Sequence, residues 1–251
     1  MNIIERLLAS LDADAPVGEV RVGACWTAVV LGTAPLRCGL ASSLRNAGCE
    51  GPPVRDAGQL LERSALELAT LLRSENLVEA SIGMATVNAL LEVDEEACVE
   101  INAEKVIIER GAGKKVAIVG HFPFIPRVQQ AVGILWVLEQ RPHGDDLPAE
   151  AASEVIPQAD VVAITGTTLI NHTFENLVTL CRPDAYVLVL GASAPLSPML
   201  FDYGVDAVAG TRVVDVPAVL RAVSQGATFR QIPGKRLLTM TKMGSRMQST
   251  R

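Results

Sequence analysis

The sequence is poor in the residues that build metal centres. Its three histidines (His121, His143, His172) form no H-x-x-x-H or H-E-x-x-H pair, so no built-in zinc site of that kind is encoded. The five cysteines (Cys25, Cys38, Cys49, Cys98, Cys181) are odd in number and show no C-x-x-C spacing. That excludes a dithiol motif and points to free thiols in a reducing cytoplasm. No apolar run approaches the roughly 18 to 20 residues of a membrane span. The N-terminal MNIIERLLASLDADAP breaks its apolar pattern with Glu5, Arg6 and Asp12, as an amphipathic helix does and a signal peptide does not. Basic runs are also missing, and the formal charge is -6, which argues against nucleic acid or an anionic membrane as partner. The expected setting is therefore cytoplasmic.

What is present is a globular composition, 49 % apolar and 20 % charged, in a chain of 251 residues. That length suits two modest domains. After Gly113, near-continuous apolar runs (116–120, 134–140, 160–166, 185–191 and 205–210) alternate with helical patterns. Runs of this kind are strands buried on both faces, so residues 106–251 are expected to form a Rossmann-like, mostly parallel, doubly wound α/β sheet. Residues 1–105 read as a smaller α+β unit. In it, 19–32 is a strand or bent hairpin and 33–54 an irregular stretch. Asp56 caps a long helix, AGQLLERSALELATLLR, and a second helix, LVEASIGMATVNALLEV, follows. NAEKVIIERGAGKK joins the halves, its helix ending near Gly111.

Ligands of open parallel sheets bind beyond the carboxyl ends of the strands, so the strand tips carry the functional reading. The first strand, KKVAIVG, should open into G-x-G-x-x-G if it served a dinucleotide. It continues instead as His121, Phe122, Pro123, Phe124, Ile125, Pro126. Two prolines remove N–H donors from that turn, and two rings occupy the space of a pyrophosphate. The tip is not a phosphate loop. It either walls a pocket for a flat organic ligand, with His121 as an acid/base group, or packs its rings on the N-terminal half. Glu139 ends the second strand, about twenty positions beyond Gly120, near where dinucleotide folds place a ribose-binding acid. Thr165, Gly166, Thr167 and Thr168 precede a helix expected to begin near Leu169–Asn171, which either caps that helix or holds an anion. Gly191 and Ser193 open the fourth tip, GASAPLSP. In the N-terminal half Asn88 is a ligand contact or an interdomain tie, and Arg37 and Cys38 lie in the irregular stretch.

The string KKVAIVGHFPF, the acid ending the next strand, ADVVAITGTTLIN, and GASAPLSP with FDYGVDAVAG resemble, in that order, the heavy-metal-chelation family, a bacterial and archaeal domain of unknown function. SIGMATVNALL resembles the family's N-terminal segment. The resemblance implies an enolase-N-terminal-like unit before a Rossmann-like domain, with a cleft between them. It further implies condensation or hydrolysis of small molecules related to flavins, pterins or metal chelators, and partial similarity to Rossmann-like methyltransferases. Ala194 stands where the family carries a polar residue before proline. On this reading His121 moves a proton, Phe122 and Phe124 flank a ring, and Glu139, Thr165 to Thr168, Asn171, Gly191, Ser193 and Asn88 line the site. The partner is a small molecule, anionic or metal-complexed, with self-association into a homo-oligomer also compatible. A non-catalytic carrier of a metal–chelator complex or nucleotide is the alternative, and neither the cofactor nor the presence of catalysis follows from the residues.

Overall fold

Helix α1 (Ile3–Ala9) opens the computed structural model, which describes residues 2–46 and 51–242. Three strands follow, β1 (Val17–Val22), β2 (Trp26–Leu31) and β3 (Arg37–Ser42), as an antiparallel meander. The expected hairpin is there. The expected irregular stretch is not irregular throughout, because Arg37 and Cys38 open β3 and pair with Leu31 and Val30. Cys49 lies outside the described residues.

The long helix expected from Asp56 is broken. Asp56 adopts a left-handed φ of 54° in a turn, and the helix proper, α2 (Ala65–Ala69), starts at Ser64. Ser64 and Glu67 form a reciprocal capping box, which satisfies two otherwise orphaned N–H groups and outcompetes any start upstream. Helix α3 (Leu77–Leu90), capped by Asn76, is buried on all sides, mostly through small and apolar residues, with Glu79, Ser81 and Thr86 buried among them. Two glycines admit its neighbours. A Cβ on Gly39 would collide with the Ala85 carbonyl and the Ala89 nitrogen, and one on Gly83 with the Leu72 nitrogen. Strand β3 and the turn before α3 therefore pack directly on its backbone.

The remaining elements are β4 (Cys98–Val99), α4 (Ala103–Gly111), β5 (Lys115–Val119), α5 (Ile125–Ala131), β6 (Ile134–Glu139), β7 (Leu147–Pro148), α6 (Ala152–Val155), β8 (Val161–Thr165), α7 (Thr167–Ile170), α8 (Phe174–Thr179), β9 (Tyr186–Leu190), β10 (Ala207–Val213), α9 (Val216–Ser224) and β11 (Lys235–Thr241). The eight strands β4 to β11 form one sheet in the order β4-β11-β10-β9-β8-β5-β6-β7. From β7 across to β10 every pairing is parallel, while β11 pairs antiparallel with β10 and β4 antiparallel with β11. The expected α/β sheet is thus mixed at one edge and parallel elsewhere.

Alternation along the strands sends side chains to two faces. Val116 and Ile118 of β5, with Val161 and Ala163 of β8, face α4 and α5. Ala117, Val162 and Ile164 join a core that is continuous with α3 and the N-terminal meander. Phe174, 1 % exposed, anchors α8 in that core, a burial that contributes about 1.5 to 3 kcal/mol.

Candidate functional site at the carboxyl edge of the sheet

The chain runs from β5 outward through β6 to β7, then returns to the other side of β5 and continues through β8, β9 and β10. The connection direction therefore reverses between β5 and β8, where open α/β sheets bind their ligands. Register brings the tips level. Val119 pairs with both Leu138 and Ile164, and Thr165 with Leu190, so Gly120, Glu139, Thr165 and Leu190 lie at one height, with Gly191 one residue beyond it.

At the β5 tip Gly120 takes a φ of 103°, and a Cβ there would stand 3.1 Å from Thr165. Glycine is thus what lets the two tips touch. The chain then turns, and Phe122 and Phe124 stack on each other with centroids 5.0 Å apart and planes 8° off parallel. Both rings are half-buried against the α4 face, and an ion pair between Arg127 and Glu104 braces α5 on α4. Arg127 holds the Glu104 carboxyl below the usual carboxylate range.

His121 stands at the front of this tip. Its Nδ1 lies 2.8 Å from Asp146 Oδ2, and the Asp146 side chain is only 5 % exposed against 48 % for the imidazole. A carboxylate oxygen accepts, so a neutral ring facing it is expected to carry its hydrogen on Nδ1 and its lone pair on Nε2. Among the described residues nothing meets Nε2. The same Asp146 oxygen accepts the His143 N–H at 3.1 Å, which fixes the turn delivering the acid. Glu139 accepts the His121 N–H at 2.9 Å through one carboxylate oxygen and the Gln140 N–H at 2.8 Å through the other. Its carboxylate therefore holds the tip in place.

The β8 tip is compact. Thr165 Oγ1 and Thr167 Oγ1 are 3.1 Å apart, and the Thr168 hydroxyl donates to the Thr165 carbonyl at 2.7 Å. Helix α7 begins at Thr167, earlier than expected, and lasts one turn. A helix of one turn has little dipole to offer an anion. Asn171 and His172 fall in the break before α8. Asn171 accepts the Thr173 hydroxyl at 2.7 Å, and His172, at a left-handed φ of 59°, meets the Leu72 carbonyl through Nε2 at 2.8 Å.

The β9 tip is sealed. Ser193, 1 % exposed, accepts the Ser42 N–H at 2.9 Å, and Asn88 donates to the carbonyls of Leu40 (2.9 Å) and Ala192 (3.2 Å). A Cβ on Gly166 would collide with Ala194 N, so this loop lies on the β8 tip. Arg37 leaves the edge altogether and bonds the Leu90 carbonyl at the end of α3. Two cavities flank the row: one of about 370 Å³ behind α7, lined by Ile4, Arg73, Leu169 and His172, and one of about 70 Å³ lined by Asn102, Gly191, Thr211 and Phe229. His121 lines neither and stands on an open shelf.

Sequence reasoning missed Asp146. It belongs to QRPHGDD, an aperiodic turn, and the available signal was an acid pair closing the loop at the tip of the second strand. Among the described residues no group of three His, Cys, Asp or Glu side chains is placed to hold a metal ion. Burial pushes the Cys38 thiol up to about 12 and Cys181 to about 11, so neither is a thiolate at neutral pH.

Two family models, DUF4213 over residues 4–91 and DUF364 over residues 102–242, match the chain, and both carry the description "Putative heavy-metal chelation". The chain belongs to this family. The resemblance seen in the strand-tip motifs is thereby shown. A crystal structure of a family member of unknown function from Desulfitobacterium hafniense superposes with a TM-score of 0.84 at 26 % identity, covering 96 % of this chain and 98 % of that one. A family member of unknown function from Pyrococcus horikoshii shares the fold with a TM-score of 0.77 at 18 % identity, over 96 % and 98 % of the two chains. An uncharacterised protein of Methanocaldococcus jannaschii is 26 % identical over 168 residues. The match spans 64 % of that curated relative's length and 64 % of this chain. No helix among the described residues is long and apolar enough to cross a membrane.

Proposed function

We propose that the chain handles a small molecule, a metal chelator or a pterin- or flavin-like compound, at the open end of the carboxyl edge, with His121 as the group that exchanges a proton with it. The observation carrying this reading is the imidazole backed by a nearly buried carboxylate at the strand-order reversal. An aspartate that fixes the tautomer and orientation of a histidine is what general acid–base chemistry requires, and condensation or hydrolysis is the reaction class it serves. Phe122, Phe124, Thr165, Thr167 and Gly191 line the ligand's approach in this reading, while Gly166 lies under the Ala194 backbone and lets the β9 loop close on the β8 tip. Asn88, Thr168, Asn171 and Ser193 hold the walls, and Glu139 sets the position of His121. The division of labour is between an N-terminal unit of residues 1–105, whose β4 joins the edge of the large sheet, and the domain that follows, in a cytoplasmic protein.

Native mass spectrometry of freshly purified protein tests the reading. A small-molecule excess present in the wild type and lost in His121→Ala is expected. A wild type that carries no ligand, and that none of a panel of pterins, flavins and metal–chelator complexes stabilises against heat, would overturn it. Stabilisation by S-adenosylmethionine would instead favour a nucleotide-cofactor reaction such as methyl transfer.

A further inference from the structure

We infer that the cavity of about 370 Å³ behind α7 is a ligand site in its own right, and that it takes a small organic dication of the aliphatic diamine class. The site stands apart from the His121 shelf and does not depend on the function proposed there. It lies where the two units of the chain meet. Glu5, Arg73 and Glu75 wall it from the N-terminal side, and Thr168, His172 and Glu175 from the β8 tip. Its volume falls in the range of about 300 to 1,000 Å³ that small-molecule sites occupy.

The polar groups on these walls decide the ligand. His172, held at a left-handed φ of 59°, places Nε2 2.8 Å from the Leu72 carbonyl. A carbonyl only accepts, so Nε2 carries the hydrogen and the neutral ring keeps its lone pair on Nδ1. Glu75 Oε1 is 3.8 Å from that nitrogen, too far for a hydrogen bond between them. Glu175 accepts the Ile3 N–H at 2.7 Å through Oε1, and its second oxygen has no partner among the described residues. The walls thus offer an imidazole lone pair and two carboxylates, all of them acceptors.

Charge points the same way. Arg73 gives Nε and Nη2 to the two oxygens of Glu5 at 2.6 and 2.8 Å, so that pair neutralises itself. Among the described residues no Lys or Arg forms an ion pair with Glu75 or Glu175, which leaves one uncompensated carboxylate from each unit. Buried Ile4, Leu169 and Phe174 stand behind them, and apolar walls focus the field of like charges into a cleft. An anionic ligand would find the cation of this cavity, Arg73, already engaged. A diamine can meet Glu75 with one ammonium and Glu175 with the other, while His172 Nδ1 accepts a further N–H. Its binding bridges the two units.

The test uses cadaverine, a short aliphatic diamine, on the full chain, with glutarate and pentanediol as probes of the same length and different charge. Calorimetry should show one cadaverine per chain, an affinity that falls as salt is added, and no binding of the other two. Glu75→Gln and Glu175→Gln should each weaken cadaverine at least about 10-fold, the loss of one charge-assisted contact. Glu175→Gln keeps an oxygen for the Ile3 N–H, and an unchanged denaturation midpoint checks that the fold survives. Nitrogen-15 NMR should show cadaverine moving the His172 ring signals and leaving those of His121 in place. No saturable binding below about 10 mM, equal binding of glutarate or pentanediol, or an affinity unchanged in either variant would overturn the inference. A response at His121 in place of His172 would overturn it too, because the amine would then sit on the open shelf.

Discussion

The two ends of one sheet edge have opposite fates. At the β9 end the tip residues are buried and bonded to the N-terminal unit, Ser193 to Ser42 and Ala192 to Asn88. At the β5–β6 end the tip is exposed, and its acids hold a histidine whose second nitrogen faces outward. Both ends start from the same backbone geometry, a glycine with positive φ after a buried parallel strand. The difference is what comes to cover them. Strand β3 and helix α3 cover the β9 end, and nothing among the described residues covers the other. The edge that open sheets give to ligands is thus divided between assembly and chemistry, and hydroxyl-rich sequence at a tip is no guide to which.

Substitutions at the sealed end should therefore register in stability, and those at the open end in ligand retention. Gly166→Ala is expected to have the largest effect, about 3 kcal/mol of lost stability, because its methyl group meets backbone that has no room to move. Chemical denaturation measures it, and a loss under about 0.5 kcal/mol would mean the tips are not in contact. Asn88→Ala should cost about 1 to 3 kcal/mol by leaving the Leu40 and Ala192 carbonyls without their donor. An unchanged denaturation midpoint would break the seal assigned to it.

Acid stability sharpens the same contrast. Burial works against the Glu79 charge, but the Ser74 hydroxyl and the Arg55 N–H and guanidinium outweigh it, and its carboxyl is held below the usual range. An unfolded glutamate titrates near about 4.3, so this stabilisation is complete above that pH and disappears as pH falls through the lower folded value. Glu79→Gln should flatten that acid limb, and a limb identical to wild type would remove Glu79 from it. The smallest stability effect belongs to the open end. His121→Ala should change unfolding free energy by less than about 0.5 kcal/mol while removing retained ligand, and a larger loss would make His121 a structural residue.

The parallel strands were legible because burial on both faces leaves unbroken β-branched runs such as VVAIT and YVLVL. Strand β3 was hidden by RCGLAS, whose glycine reads as a loop residue until α3 is seen pressing on it. Strand β11, KRLLTMT, pairs at the antiparallel edge and is partly exposed, so its pattern carries less contrast. Asp56 looked like a cap because an acid precedes an apolar run, yet the capping box at Ser64 lies inside that run and decides the start. His121 was legible from its place after β5. Its partner Asp146 was not, because the turn that brings them together lies between β6 and β7 and has no periodicity to read.

The most direct test of the account is the tautomer of His121, read by long-range proton–nitrogen NMR in wild type and Asp146→Asn. The account predicts hydrogen on Nδ1 and a free Nε2 in the neutral wild-type ring, with that preference lost in the variant. Hydrogen on Nε2 in the wild type, or a tautomer indifferent to Asp146, would contradict it.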